Sequence, residues 1–501
     1  MPGDVTPRAP AWPLRWPDMV LDLPVLLEGE MSEIYLVGGA VRDALLGRPI
    51  KDVDIATTSS GIRLARLIAN RLHGDYYPLD PDRDVGRALV NTPDGRLVFD
   101  VASLRGPDLM ADLADRDFTL NAMAVDLHGD LNLLIDPLGG EKDSITRLIR
   151  QCGPNSLAGD PLRTLRAVRQ SVQLKAHIEK ETLAAIRAVG PRLANVSPER
   201  VRDEFFRILA LQDAAAALRV AEVLGLLQVI VPAVDVLRHY KETSGAAFDA
   251  WTQTLTAAEM MTSILTAISP KRTDNTAAEF SLGMMVMALD RFRQPLQQRT
   301  ESVWSDNRPH RALLMLAILL CQTGAAARAG AGQATGPTDA EAGARIADTV
   351  ALGLRLSNAE RARLVAIVRF NALPAQLADL TPVTIYRFWK ATGEAGVDVC
   401  LVAVAHYLGR MGPYLKQDPW ISFLENIRLL LEAYYERHDT LVDPPALLDG
   451  RVLIRELKLK SGPIVGLLLE RIREAQVAGD VTTADDALAF ARRALDDEQH
   501  P

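Results

Sequence analysis

Asp52 and Asp54, in the stretch KDVDI, form a carboxylate pair with one residue between them. In a strand, residues i and i+2 share a face, so both carboxylates would point the same way. Such a pair offers hard oxygen ligands to divalent cations such as Mg²⁺. Two ions about 4 Å apart can clamp the attacking and leaving oxygens of a phosphoryl transfer. A third carboxylate is usual in such a cluster, and Asp100, in the strand-like VFDVAS, has the right character. Upstream, Gly38-Gly39 follow an apolar run. Two glycines let the backbone approach a triphosphate closely, with N–H groups turned toward it. The helical stretch Ala40–Leu46 would then aim its N-terminus at the phosphates. Each piece alone is common: most DxD pairs are solvated, and most Gly-Gly pairs are only turns. The combination at this spacing is far more specific.

These residues need a scaffold that mixes strands and helices. Ile34–Val37 and Leu97–Val101 read as short strands near turn residues, and NTPDG (Asn91–Gly95) as a hairpin turn. From about Ser156 onward strand signals nearly vanish. Helical periodicity takes over, as in LRTLRAVRQSVQL, HRALLMLAILL and VGLLLERIREAQ. Ser197-Pro198 marks a helix start, with Ser as N-cap and Pro at the first turn. The expected fold class is α+β: a mixed head followed by a long all-helical remainder.

The chain has 501 residues, enough for several domains. It is 48% hydrophobic and 24% charged, as ordinary globular proteins are. Cys152, Cys321 and Cys400 share no metal-like spacing, so no disulfide framework is expected and a reducing cytoplasm is the expected compartment. The N-terminal MPGDVTPRAPAWPLRWPD is proline-rich and lacks the charged and apolar regions of a signal peptide; residues 1–25 are expected to be flexible. No apolar run approaches the roughly 18 residues of a membrane span, so no membrane partner is expected. Net charge is −8, from 56 Lys+Arg against 64 Asp+Glu. That balance speaks against indiscriminate nucleic-acid binding and leaves room for a local basic groove. Gly324–Ala344 is Ala/Gly-rich and reads as a disordered insertion or a long loop.

The stretch GGAVRDALLGRPIKDVDIAT resembles the signature of class II tRNA nucleotidyltransferases and bacterial poly(A) polymerases, whose heads share a polymerase-β-type fold. DRDFTLNAMA (Asp115–Ala124), DPLGGEKDSITRLIR (Asp136–Arg150), GDPLRTLRAVR (Gly159–Arg169) and SPERVRDEFFRIL (Ser197–Leu209) resemble that family's later motifs in order. Leu447–Ala491 resembles the tail of members that carry an HD domain. Matching text covers most of residues 34–209 and 447–491.

The resemblance implies an enzyme that adds C and/or A from CTP and ATP to the 3′ end of tRNA, with Mg²⁺ as cofactor. It implies metal at Asp52 and Asp54, with Asp100 completing the catalytic set. Gly38, Gly39 and Arg42 would contact the triphosphate, and Arg116, Asp117 and Asn121 the ribose and phosphates. Asp160 and Arg163 would read the incoming base, with Arg166 and Arg169 as further nucleotide contacts. For base reading the chemistry suits: Asp accepts, Arg donates, and i,i+3 on a helix sets them side by side. The implied layout is a flexible segment at 1–25, a head at 26–150, a helical neck at 151–215, a helical body at 216–440 with the insertion near 324–344, and an RNA-binding tail at 441–501.

The chain departs from the family in three places. Gly159 stands where the base-reading motif has Glu, and Asp115 where it has a first Arg. In the body, Gln253 and Cys321-Gln322 stand where an HD domain has its metal-binding His and His-Asp, so the body is expected to be a degenerate HD fold without metal. Gly74–Gly106 lies where the family has a specificity-related flexible loop. Arginines between Arg147 and Arg207, and basic residues between Arg451 and Arg473, are candidates to meet RNA phosphates. The competing readings are a poly(A) polymerase and a non-catalytic RNA-binding protein on a transferase scaffold.

Overall fold

The structure, a computed structural model, describes residues 6–93, 95–240, 249–269, 280–304, 307–330 and 338–499. The chain forms two compact units. One runs through Val196 and takes in Val220–Val229; the other comprises Ser197–Arg219 and the chain from Ile230 onward. The segment expected as one helical neck, 151–215, is therefore divided between them.

The first unit is built on a six-stranded sheet: β1 (Ile34–Val37), β2 (Asp52–Thr57), β3 (Asp75–Asp80), β4 (Val85–Thr92), β5 (Gly95–Ser103) and β6 (Ala124–Asp126). The strand order is β3-β4-β5-β2-β1-β6. Only β2 and β5 run parallel; the other neighbours are antiparallel. Helix Gly61–Arg71 is N-capped by Ser60 and buries Leu64, Ala65, Ile68 and Ala69, one stripe at helical spacing. That stripe joins Val53, Ile55, Ala88, Val90, Phe99 and Val101 in the core.

Three expectations need correction here. Gly74–Gly106 is not a flexible loop. It folds into β3, β4 and β5, and β4 alternates inward Gly86, Ala88 and Val90 with outward residues. The hairpin closes with Thr92 paired to Gly95; Asp94 lies outside the described residues. Residues 6–25 are packed against the rest of this unit. Arg8 bridges to Leu134, the Trp16 indole donates to the Leu131 carbonyl, and Leu14, Val20 and Leu23 are buried. Pro7, Pro10, Pro13 and Pro17 fix φ along the first part of this segment and so reduce the entropy lost on docking it; helices Asp18–Leu21 and Leu23–Leu26 follow.

The third correction concerns Gly324–Ala344. Helix Thr323–Gly330 occupies its start, and helix Asp339–Gly353 opens with a Thr338–Glu341 capping box. A Cβ on Gly324 would lie 2.1 Å from the Asp339 carbonyl oxygen, so the small residues serve close helix packing. Residues 331–337 lie outside the described residues.

In the second unit, helix Pro198–Leu209 starts as expected, with Ser197 accepting from the Arg200 N–H. Helices Ala250–Ile268, His310–Leu320 and Gly396–Met411 bury most of their length. The described residues contain one helical run long and apolar enough to cross a membrane, His310–Gly330. It is 72% buried within the protein, the position of a core helix.

Candidate active site

Strand β2 places Asp52 and Asp54 on one face, as their spacing requires, and the parallel register sets Asp100 of β5 directly beside Asp54. Asp100 is not left alone. Arg87, opposite it on β4, donates Nε and Nη2 to its two carboxylate oxygens, both at 2.6 Å. The sequence gives no sign of Arg87, because its partner is set by strand register rather than by spacing.

Gly38 has φ of 75°, in the left-handed region. A Cβ there would lie 2.7 Å from Asp54 Oδ2 and 3.1 Å from Arg116 Nη1. Gly38 is thus what lets the β1 turn approach both the carboxylate and the guanidinium. Its own N–H donates to the Met123 carbonyl at 3.4 Å. Helix Gly39–Leu45 follows, with Arg42 nearly buried on it.

Asp54 is half-buried. Burial pushes its carboxyl up; Arg116 pulls it down, and Asp100 and Asp52 add to the rise. Arg116 is held by buried Asp112 through Nε at 3.0 Å and Nη2 at 2.8 Å. Asp112 is a positioning residue that the sequence reading missed, although its i,i+4 spacing to Arg116 is a signal for the pair.

A buried polar network lies behind these groups. Asp117 accepts from the Phe118 N–H (2.8 Å), Asn121 Nδ2 (2.9 Å), Arg166 Nε (2.8 Å) and Gln170 Nε2 (3.4 Å). Asn121 also donates to Gln170 Oε1 at 3.0 Å and accepts from Arg42 Nη1 at 2.7 Å. Burial raises the Asp117 carboxyl, but the Arg166 charge and these hydrogen bonds outweigh it and hold the group well below the usual carboxylate range. Gln170 was not anticipated; Arg163, Arg166 and Gln170 are spaced by three and four on helix Arg163–Leu174.

The base-reading pair is arranged differently from expectation. Helix Arg163–Leu174 begins only at Arg163. Asp160 lies before it in extended backbone, φ −140° and ψ 98°, and accepts from the Leu162 N–H at 3.2 Å. Pro161 is the cause: the residue before a proline is driven out of the helical region. Arg163 donates Nη1 to the carbonyls of Arg116 (3.1 Å) and Ser156 (3.0 Å), and Nη2 to that of Asp115 (2.7 Å). Three of its five N–H groups are so used. Arg169 donates Nη1 to Gln173 Oε1 at 3.0 Å.

In the second unit, the two glutamines at the HD ligand positions meet. Gln322 Nε2 lies 2.7 Å from Gln253 Oε1 and 2.9 Å from His406 Nε2. Burial, with Arg410 nearby, lowers His406 to about 4, so it is neutral at pH 7 and accepts from the amide. Among the described residues of this unit no group of three or more His, Cys, Asp or Glu is placed to hold a metal. An amide pair cannot replace His and Asp as ligands. Hydrolysis of 2′,3′-cyclic nucleotides with Ni²⁺ or Co²⁺ should therefore stay at background, also in an Asp52→Ala variant. Metal-stimulated hydrolysis surviving that substitution would contradict this assignment.

Residues 34–150 match the poly A polymerase head domain, and residues 177–237 match the "Probable RNA and SrmB- binding site of polymerase A". A CC-adding tRNA nucleotidyltransferase of Geobacter sulfurreducens is 46% identical over 180 residues, 36% of this chain and 41% of that protein. An A-adding tRNA nucleotidyltransferase of Deinococcus radiodurans is 29% identical over 91% of this chain and 94% of its own. The Thermotoga maritima CCA-adding enzyme, solved in complex with tRNA, shares the fold at a TM-score of 0.54 and 20% identity, covering 96% of this chain and 97% of its own. The match to the poly A polymerase head domain thus falls on the mixed sheet that carries the paired carboxylates, and along 91% of its length this chain is similar to an A-adding tRNA nucleotidyltransferase.

Proposed function

We propose that this protein is a template-independent RNA nucleotidyltransferase that extends the 3′ end of tRNA with C, A or both, from CTP and ATP. One observation carries the reading: Asp52 and Asp54 share a strand face, with Asp100 in register and Arg116 close by across Gly38. A divalent cation fits this donor set, since burial and the neighbouring Asp100 and Asp52 carboxylates raise the Asp54 carboxyl against the pull of Arg116, and a bound cation would offset that. We take the ion to be Mg²⁺, held by Asp52 and Asp54. When bound, such an ion draws charge from the triphosphate while the RNA 3′-oxygen displaces pyrophosphate from the α-phosphorus.

The chain's own residues do the rest. Arg116, fixed by Asp112, sets a positive charge beside Asp54 for the phosphates. Asn121 and Asp117, held by Arg42, Arg166 and Gln170, form a rigid polar wall for ribose and phosphate. Arg163 keeps two N–H groups for a base edge, with Asp160 as acceptor before the helix. A cytoplasmic site of action goes with this substrate.

The test is incubation of the purified chain with tRNA transcripts ending at the discriminator base, at C or at CC, each with one labelled nucleoside triphosphate. Extension of at least one transcript, lost in Asp54→Ala, is the expected result; no extension of any of them would refute the reading. The 46% identity over 180 residues to a CC-adding relative favours C addition. Addition of A alone is the second reading, supported by the match to an A-adding relative over 91% of this chain, an extent that a CC-adding relative of Synechocystis equals.

Base selection makes a separate prediction. A bidentate base contact contributes about 1–3 kcal/mol of discrimination, so Arg163→Ala should raise U or G incorporation roughly ten- to hundredfold. Gly159 has nothing within 4 Å of a Cβ position, so Gly159→Glu is accommodated and should tighten selection. The readout is kcat/KM for each of the four triphosphates on one primer. An equal loss for all four would make Arg163 a strut only, consistent with its three carbonyl contacts.

A further inference from the structure

A second concave site lies in the first unit, with none of Asp52, Asp54, Asp100 or Arg116 in its wall. This cavity of about 370 Å³ is lined by Trp12, Arg42, Arg48, Asp143, Ser144 and Arg147, over a floor of apolar side chains. Its volume is in the range of small-molecule sites. Three features point to one kind of ligand.

The first is unspent positive charge. The Arg147 guanidinium makes no hydrogen bond or ion pair among the described residues, and Arg48 makes one, to the Gln173 carbonyl at 3.3 Å. The wall's carboxylate does not cancel them: Asp143 accepts from Thr119 Oγ1 at 2.6 Å and Arg150 Nε at 3.0 Å. Arg147 also has φ of 57°, left-handed backbone that disfavours any residue with a Cβ. Glycine would relieve that strain, so the side chain is kept in spite of it.

The second feature is Ser144. It is only 4% exposed, and its Oγ has no hydrogen-bond partner. A buried hydroxyl without a partner is costly, and this one borders the cavity. The third is Trp12, 44% exposed, on a segment fixed on either side by the Arg8–Leu134 bridge and the Arg15 N–H bond to the Ala44 carbonyl. An anchored, open indole is a stacking surface for a nucleobase. Guanidinium groups are the usual partners of phosphate.

We infer that this cavity binds a phosphorylated nucleotide, with phosphate at Arg48 and Arg147, the Ser144 hydroxyl as an added hydrogen-bonding group, and the base on Trp12. Arg42 joins the cavity to the active site, since its Nη1 donates to Asn121. The nucleotide is either free in solution or one unit of an RNA strand, and the chemistry is shared.

The test compares the full wild-type chain with Arg147→Gly and with Trp12→Ala. Arg147→Gly relieves the left-handed backbone, so it should fold at least as well as wild type. Equilibrium dialysis with labelled CMP counts nucleotides per chain, and fluorescence anisotropy measures affinity for a short unstructured RNA oligonucleotide. The expected result is at least a tenfold loss of affinity in both variants for one probe. Loss of one bound CMP per chain identifies a free nucleotide; loss confined to the oligonucleotide identifies a strand. Unchanged binding of both probes in both variants would overturn the site. Neither binding readout requires tRNA extension, so failure of the transfer reading would be seen separately.

Discussion

Replacing Asp54 by alanine is expected to lower kcat for nucleotide addition by at least about a thousandfold, because a metal carboxylate contributes several kcal/mol of transition-state stabilisation. Asp52→Ala should act in the same direction. Stability should move the other way for Asp54. Its carboxyl is pushed up by burial, with Asp100 and Asp52 adding to the rise against Arg116. A carboxyl whose folded pKa lies above its unfolded value contributes stability at low pH and loses it as pH rises through the folded value. At pH 7 without divalent cation, the ionised side chain is therefore a liability, and Asp54→Ala should melt at or above the wild-type temperature. Turnover within tenfold of wild type would sink the paired-carboxylate assignment. A large drop in melting temperature would show instead that Asp54 holds the sheet together.

What can be read from the sequence is what local spacing dictates. Asp52 and Asp54 are legible because a period of two fixes their shared face wherever the strand pairs. Gly38 is legible because only glycine tolerates both that turn and a 2.7 Å approach to Asp54. Ser197-Pro198 announces its helix for equally local reasons. Arg87 is invisible because its contact with Asp100 depends on the β4–β5 register. Asp160 is legible only if the proline rule is set above helical periodicity: Pro161 removes from the helix a residue that i,i+3 spacing assigns to it. Gly324–Ala344 is ambiguous in composition, since alanine and glycine serve a loop or a tight helix contact equally well, and the Asp339 carbonyl against Gly324 decides for the contact. Gln253 and Gln322 are 69 residues apart, and their 2.7 Å bond becomes apparent only through packing.

The Asp117 network yields the largest expected effect on stability. Asp117→Ala removes the acceptor of four donors and leaves Asn121 and Gln170 buried with amide hydrogens unpaired. Breaking a buried ion pair by removing one partner costs about 3–5 kcal/mol. Arg166 is one-third exposed at its side chain and can turn to water, so the lower end, about 3 kcal/mol, is expected. Asn121 would lose the group that orients it, and Arg42 with it, so kcat should fall as well. Asp117→Asn keeps the shape and loses the charge, and it separates the two effects through pH. The Asp117 carboxyl is held below its ordinary value, chiefly by Arg166 and its hydrogen bonds against the opposing effect of burial. Its contribution to stability is therefore complete above the unfolded value near 3.9 and is lost as pH falls below it through the folded value. In urea unfolding from pH 7 down to pH 3, wild type should lose stability at the acid end faster than Asp117→Asn, whose side chain does not titrate there. Parallel curves for the two proteins, with unfolding midpoints that coincide at pH 7, would mean that Asp117 carries no net charge interaction and that the Asn121–Arg42 arm is held by something else.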